Sequence, residues 1–260
     1  MADPLPAVAE AAVAGEIAEL FVDIRATSGV RVVNLVWRHL ATLPGALPWA
    51  WSAVKPLYLR GIVDQAAVRF REVMVVPRLA SLAGDVPPGV DDVLASYDHS
   101  NTINLFALGA LRSWMRGELA PGGMPEEGPR LAAPDVDLPR LASQYDVTPE
   151  TWSLILHLNG FGDRERVVLA SMYRHLAHAP QFLRRVDAAL AGVAADGSLD
   201  RAIKANQQQA RRRVTLLARA ITASPPPSPE AIERGVALFL DHAIGPMVTI
   251  CRAIRLARDA

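Results

Sequence analysis

Apolar residues recur at helical spacing along most of the chain. Residues 90–115 show this best, because one stripe with a period near 3.6 holds Val90, Val93, Leu94, Tyr97, Leu105 and Leu108. Residues 148–150 (Thr-Pro-Glu) and 228–230 (Ser-Pro-Glu) each place a capping residue before a proline and an acid, which is typical of helix starts. Strand-like alternation is scarce, although residues 30–36 are rich in β-branched side chains. The pattern predicts an all-α protein.

Part of this helical pattern occurs twice. Arg-His-Leu-Ala stands at residues 38–41 and again at 174–177, an offset of 136 (174 − 38). Arg-Val-Val recurs from Arg31 to Arg166 at an offset of 135, and Asp-His recurs from Asp98 to Asp241 at an offset of 143. Two copies are too few for a solenoid. We therefore predict two similar helical repeats packed as an intramolecular pseudo-dimer.

A segment dense in proline and glycine separates the two copies. It runs from about residue 121 to 139 and has little helical tendency. We expect a first repeat over residues 1–120, a linker over 121–147 and a second repeat over 148–260. On a helical wheel, Arg38 and His39 project away from the apolar stripe. A solvated face or a face between the repeats accounts for them better than an anion-binding pair does.

The composition narrows the class of protein. Lys plus Arg number 27 and Asp plus Glu number 27, so the formal net charge is zero. Such a chain has no overall attraction to nucleic acid or to an anionic membrane. The N-terminal segment lacks the basic start of a secretory signal, and no apolar run approaches the roughly 18 residues that span a bilayer. We expect a cytoplasmic protein without nucleic-acid or membrane partners, and a homodimer is compatible with this picture.

The positions where the two copies differ are the most informative about function. Asn101 and Asn104 fall within the apolar stripe, whereas the matched positions of the second copy are Ile244 and Met247. A buried amide without partners costs roughly 1–3 kcal/mol. In the second copy, Ser171 matches Leu35 of the first. One asymmetric pocket between the repeats, with Tyr97 of the same stripe in its wall, would account for these residues.

The same residues are also compatible with purely structural roles. The two asparagines could bond to the linker or to each other, and Ser171 could cap a turn. Asp98 lies one helical turn before Asn101, where burial would raise its pKa and suit it to activating water. Its recurrence as Asp241 equally fits a structural ion pair with an arginine. We expect His99 on the surface, and no metal or cofactor, because neither metal-ligand spacing nor a phosphate-binding loop occurs.

Taken together, these features resemble the group I α-haloacid dehalogenases. The resemblance covers nearly the whole chain and is carried by residues 23–51, by the helix around DHSNTINL (residues 98–105) and by SMYRHLAHAP (residues 171–180). It implies an all-helical pseudo-dimer with one site between the repeats. In that family an Asn of the first repeat and a Ser-Asp pair of the second form the site, and the Asp activates water for direct attack on the halogen-bearing carbon.

This sequence has some of the family's site residues and lacks others. Asn101 matches the family's Asn and Ser171 its Ser, but Met172 stands where the family has the catalytic Asp, and Val32 and Leu35 stand where it has an aromatic pair. The resemblance implies a dehalogenase-like hydrolase for a small 2-substituted carboxylic acid, with Asp98 or Asp241 as the replacement base. The alternative is a non-catalytic relative that binds a small ligand, or a cofactor-free lyase or isomerase of the same fold.

Overall fold

The helical spacing of the sequence is realised as helices throughout. The structure, a computed structural model, describes residues 5–165 and 167–260, and no strand occurs within these ranges. The helices are α1 (Gly15–Ser28), α2 (Leu35–Leu40), α3 (Ala46–Leu59), α4 (Ile62–Val73), α5 (Val90–Met115), α6 (Pro149–Gly162), α7 (Ser171–His175), α8 (Pro180–Ala195), α9 (Ser198–Leu217), α10 (Pro229–Phe239) and α11 (Gly245–Arg258). A π turn (Leu240–Ile244) joins α10 to α11.

The order of these helices confirms the all-α class and the pseudo-dimer of repeats. Each half has a medium helix, a very short one, two further helices and a long final one: α1 to α5 in the first, and α6 to α9 followed by the α10–α11 helix in the second. Helix α5 has the predicted bounds, and α6 begins at Pro149 with Thr148 as its cap. The matched residue Arg166 lies outside the described residues.

Two reciprocal ion pairs fix how the long helices α5 and α10–α11 cross. Arg255 donates to Asp98 at 2.9 Å, and Arg112 donates to Asp241 at 3.0 Å. The two aspartates are 143 positions apart (241 − 98), and so are the two arginines (255 − 112). Asp98 of the first repeat binds Arg255 of the second, and their counterparts Asp241 and Arg112 form the same pair in the opposite direction. Two-fold symmetry between the repeats requires this reciprocity. Both ion pairs join positions that are matched at the offset of 143, which supports the alignment of α5 with the α10–α11 helix.

The repeated Arg-His motif holds the segment that precedes each repeat. The Arg38 Nε donates to the carbonyl of Val8, and the Arg174 Nε donates to the carbonyl of Ala142, both at 2.7 Å. The backbone N–H groups of Val8 and Ala142 donate back to the carbonyls of these arginines at 3.1 and 3.4 Å. The motif therefore acts as a clamp, and Arg174 is buried by it.

His99 corrects the expectation of a surface residue. It is buried and its Nε2 lies 3.2 Å from the carbonyl oxygen of Ser28, at the end of α1. Its counterpart His242 lies 3.0 Å from Asp163, directly after α6. Both histidines therefore tie a long helix to the end of the first helix in their own repeat, a tertiary role that a wheel of one helix does not reveal.

The apolar core consists of two clusters that exchange helix segments. The first half of α5 packs into the core of the second repeat, while α10 packs into the core of the first. The exchanged side chains are Val90, Val93 and Leu94 in one direction and Ile232, Val236 and Phe239 in the other. Each core is thus completed by the other repeat. Within the described chain, Pro229–Arg258 is long and apolar enough to cross a membrane, but 72% of its apolar window is buried, as in a core helix.

The reciprocal ion pairs differ in burial, which predicts different costs of removal. The Asp98 side chain is 4% exposed and the Asp241 side chain is 37% exposed. Asp98→Asn leaves three partly buried arginines without their counter-charge and should cost about 3 kcal/mol of unfolding free energy. Asp241→Asn, the matched control, should cost about 0–1 kcal/mol. Urea unfolding measures both, and equal costs would contradict this assignment.

Candidate functional site

A cavity of about 280 Å³ lies between the two repeats. Two equivalent loops, residues 32–36 and 168–172, face each other across it (168 − 32 = 136). Helix α5, the π turn and residues 138–141 complete its wall. Apolar side chains predominate, and the polar ones among the described lining residues are Glu10, Asn34, Arg38, Tyr97, Asn101, Arg140, Ser171 and His175. Its size and lining suit a small organic ligand.

Most residues predicted to bind substrate line this cavity. They are Val32, Leu35, Tyr97, Ser171 and Met172, and Asn101, which was predicted as catalytic, lines the cavity as well. Leu35 and Ser171 are counterparts, and so are Val36 and Met172, so the second repeat places a hydroxyl where the first has an apolar side chain. Asn101 is buried, yet its amide makes no hydrogen bond with any described residue. It is available to a ligand.

Asn104 does not reach the cavity. Its carbonyl oxygen accepts from the Trp37 Nε1 at 3.1 Å and from the Tyr58 hydroxyl at 2.9 Å. Its amide nitrogen donates to the carbonyl of Ser100 at 2.8 Å and to the Asn34 side chain at 3.2 Å. Asn104 is therefore a saturated structural hub, and its prediction as a substrate ligand has no support in this geometry.

The second repeat shows what the hub provides. Tyr173 is the counterpart of Trp37, and Met247 stands at the position of Asn104. The Tyr173 hydroxyl is buried and has no hydrogen-bond partner among the described residues. The amide hub is thus present in only one copy, and a polar residue found in one repeat alone can serve the core as well as a pocket.

The two aspartates predicted as catalytic lie away from the cavity between the repeats. Neither Asp98 nor Asp241 belongs to its wall. Asp98 is held by Arg255, with Arg71 and Arg252 at 3.5 and 3.6 Å. Both aspartates therefore form ion pairs with arginine, which was the structural alternative to a catalytic role. Asp98 is close to Asn101 along α5, but the two side chains line different cavities.

A histidine and a tyrosine meet at the cavity wall. The Tyr97 hydroxyl lies 3.3 Å from the Nδ1 of His175, and the ring centroids are 5.6 Å apart. Burial, helped by repulsion from Arg174, His178 and Arg38, lowers the pKa of His175 from 6.5 to about 4. Burial also raises the pKa of Tyr97 far above its usual range. Both groups are therefore uncharged near pH 7.

Sequence reasoning missed His175 because it treated the repeated motif as architecture alone. In the first copy, His39 binds the carbonyl of Pro6 at 2.8 Å. In the second copy, His178 takes the matching task and lies 2.7 Å from the carbonyl of Arg140. His175 is thereby free to face Tyr97. The sequence contains a sign of this exchange, because His178 occurs in the second copy only and the first copy has Thr42 at its position.

Positive charge dominates the electrostatics of the cavity. Arg38 uses its Nε for the carbonyl of Val8 and forms no ion pair within the described chain. The one carboxylate among the described lining residues is Glu10. It is bound by Arg25 at 2.8 Å and by the N–H of Val33 at 2.9 Å. An anion is therefore the favoured occupant.

These groups limit the chemistry of the site. Met172 is buried in the wall, and a thioether cannot accept a proton from water. Glu10 is fully engaged, and His175 is a weak base because its pKa is low. No group of three His, Cys, Asp or Glu side chains that could hold a metal occurs in residues 5–165 or 167–260. The described lining residues offer groups that suit an acid, but none of them is a free carboxylate.

Comparison with known proteins identifies the fold. Three solved structures of D-2-haloacid dehalogenase superpose with a TM-score of 0.74 over 97–98% of this chain and 97% of theirs: a mutant in complex with D-2-CPA, a mutant alone, and a complex with L-LA. This chain has the all-helical fold of the haloacid dehalogenases. The identity is only 14–16%. No family model and no curated protein matches the sequence.

The two asparagines of α5 should separate in a stability measurement. Asn104→Ala leaves the buried Trp37 and Tyr58 donors unpaired, at about 1–3 kcal/mol for each. Asn101→Ala breaks no hydrogen bond and should change the unfolding free energy by less than about 1 kcal/mol. Urea unfolding of the two variants checks this, and a larger loss for Asn101→Ala would contradict the assignment of hub and ligand residue.

Proposed function

We propose that this protein binds a small 2-substituted carboxylic acid in the cavity between its repeats and does not hydrolyse it by dehalogenase chemistry. The observation that carries the proposal is the presence of an uncompensated Arg38 and the free amide of Asn101 in one wall, whose described residues include no free carboxylate. The structural neighbours act on 2-haloacids, which guides the choice of ligand class.

Arg38 supplies the affinity for the acid group. Its Nε is fixed by the carbonyl of Val8, so the guanidinium is held in place before a ligand arrives. A guanidinium and a carboxylate form charge-assisted hydrogen bonds that are roughly twice as strong as neutral ones. The apolar loops on either side, with Leu35 and Met172, then surround the substituent at carbon 2.

Met172 accounts for the missing hydrolysis. Water is a poor nucleophile unless a base removes its proton, and the loss of that base costs roughly 10²–10⁴ in rate. Asn101 and Ser171 keep their places in the wall, so the pocket retains a means of orienting the ligand without the means of activating water.

A second function has one observation in its favour. The His175–Tyr97 pair is buried, uncharged and in the wall of the same cavity. Such a pair could exchange a proton with a bound acid, as a cofactor-free lyase or isomerase requires. The low pKa of His175 limits it as a base near pH 7, so we rank this function behind simple binding.

Halide release from 2-chloropropionate tests the proposal. The unmodified protein should release no halide above the buffer rate, although the acid should raise its melting temperature. Met172→Asp places a carboxylate beside Asn101 and Ser171 and should produce measurable release. Val36→Asp is the matched control, because Val36 is the counterpart of Met172 and lines the same cavity. It should remain inactive.

The outcomes are distinct for binding and for chemistry. Rapid halide release by the unmodified protein would contradict the proposal and show that another group serves as base. Turnover of a non-halogenated acid that is abolished by His175→Gln would favour the lyase or isomerase. Absence of any thermal shift with small carboxylates would contradict acid binding itself. Circular dichroism of each variant establishes that it is folded.

A further inference from the structure

Three arginines surround one carboxylate on a different side of α5. The Asp98 carboxylate lies 2.9 Å from Arg255, 3.5 Å from Arg71 and 3.6 Å from Arg252. They line a cavity of about 290 Å³ together with Ala95, His99 and linker residues 131, 132 and 134. Each of the three arginine side chains is about one quarter to one third exposed. The guanidinium groups are therefore partly desolvated but still open to a ligand.

The charges of this arginine cavity do not balance. Three arginines against Asp98 leave an excess of two positive charges among the lining residues. Among the acids on adjoining segments, Asp91 binds Arg258 and Asp135 binds Arg31, and neither belongs to the cavity lining. Asp64 of α4 is not among the described lining residues, and its carboxylate accepts the N–H of Leu131. Burial lowers the pKa of His99, so it adds no charge near pH 7.

The second repeat provides an internal comparison. The counterpart of Asp98 there is Asp241, which two arginines approach: Arg112 at 3.0 Å and Arg211 at 4.0 Å. There, Glu233 binds Arg112 at 3.1 Å and also binds Arg116, which Glu118 approaches to 3.9 Å, so three acids face three arginines. Arg252 has Gly109 as its counterpart (252 − 109 = 143). The ion pair is thus common to both repeats, whereas the extra positive charge exists at Asp98 alone.

One guanidinium atom in the arginine cavity lacks any partner. The Nε of Arg71 is buried and makes no hydrogen bond within the described chain. Burial lowers the pKa of Arg71, and the neighbouring Arg252 and Arg255 add repulsion. A cluster of like charges that is partly removed from water is unfavourable unless an anion compensates it.

We propose that the arginine cavity is a binding site for a phosphate group. Planar guanidinium groups bind phosphate oxygens in pairs, and a phosphate dianion matches the two excess positive charges. The cavity has room for the group and for a small organic substituent. This site is separate from the cavity between the repeats, and it does not depend on the acid that binds there.

Titration with inorganic phosphate tests the site in the full-length protein. At pH 7.5 and constant ionic strength, phosphate should raise the melting temperature in a saturable way that potassium chloride does not. Arg252→Ala should weaken this binding at least about tenfold, because one of three charge-assisted contacts is lost. Arg255 still holds Asp98 in that variant. Glycerol phosphate, in a parallel titration, distinguishes a phosphate ester from the free ion as the preferred ligand.

Two further variants make the test decisive. Arg211→Ala removes the matching arginine at Asp241 and should bind phosphate as the unmodified protein does. Ala95→Glu places a carboxylate among the three arginines, removes no native ion pair and should abolish binding even if Arg252→Ala unfolds. No saturable response of the unmodified protein would overturn the proposal. Equal loss in Arg252→Ala and Arg211→Ala, or full binding by Ala95→Glu, would overturn it as well.

Discussion

Reciprocal ion pairs between α5 and the α10–α11 helix hold the two repeats in one arrangement. Asp98 with Arg255 and Asp241 with Arg112 fix the register of α5 against α10–α11. In this register, Asn101 and its counterpart Ile244 both line the cavity between the two loops. The exchanged core segments reinforce the arrangement, because neither core is complete without the other repeat.

Duplication separates residues that serve the fold from residues that have a different role. The arginine of the repeated motif occurs in both copies and holds the preceding segment in both. One-sided polar residues divide further: Asn104 completes a core, whereas Asn101 and His175 face the cavity. A comparison of the two repeats therefore identifies candidate residues. Their hydrogen-bond partners then show whether each one packs in the core or is available to a ligand.

Local pattern predicted what depends on local physics. The helix over residues 90–115 and the helix start at Thr148 follow from spacing and capping, and the matched offsets revealed the pseudo-dimer. The partners of Asp98 could not be found in this way, because Arg252 and Arg255 lie more than 150 positions away in the chain. A helical wheel likewise placed His99 on the surface, since it shows one helix and not its neighbours. The boundaries of the linker stay a prediction.

We propose that Arg38 and Asn101 hold a carboxylic acid in the cavity between the repeats. A crystal structure of the protein with 2-chloropropionate would show the acid and its contacts. We expect intact acid in the cavity, with carboxylate oxygens about 3 Å from the Arg38 guanidinium and the Asn101 amide, and with carbon 2 facing Met172. Acid bound elsewhere, or in the cavity with its carboxylate turned away from Arg38, would contradict it.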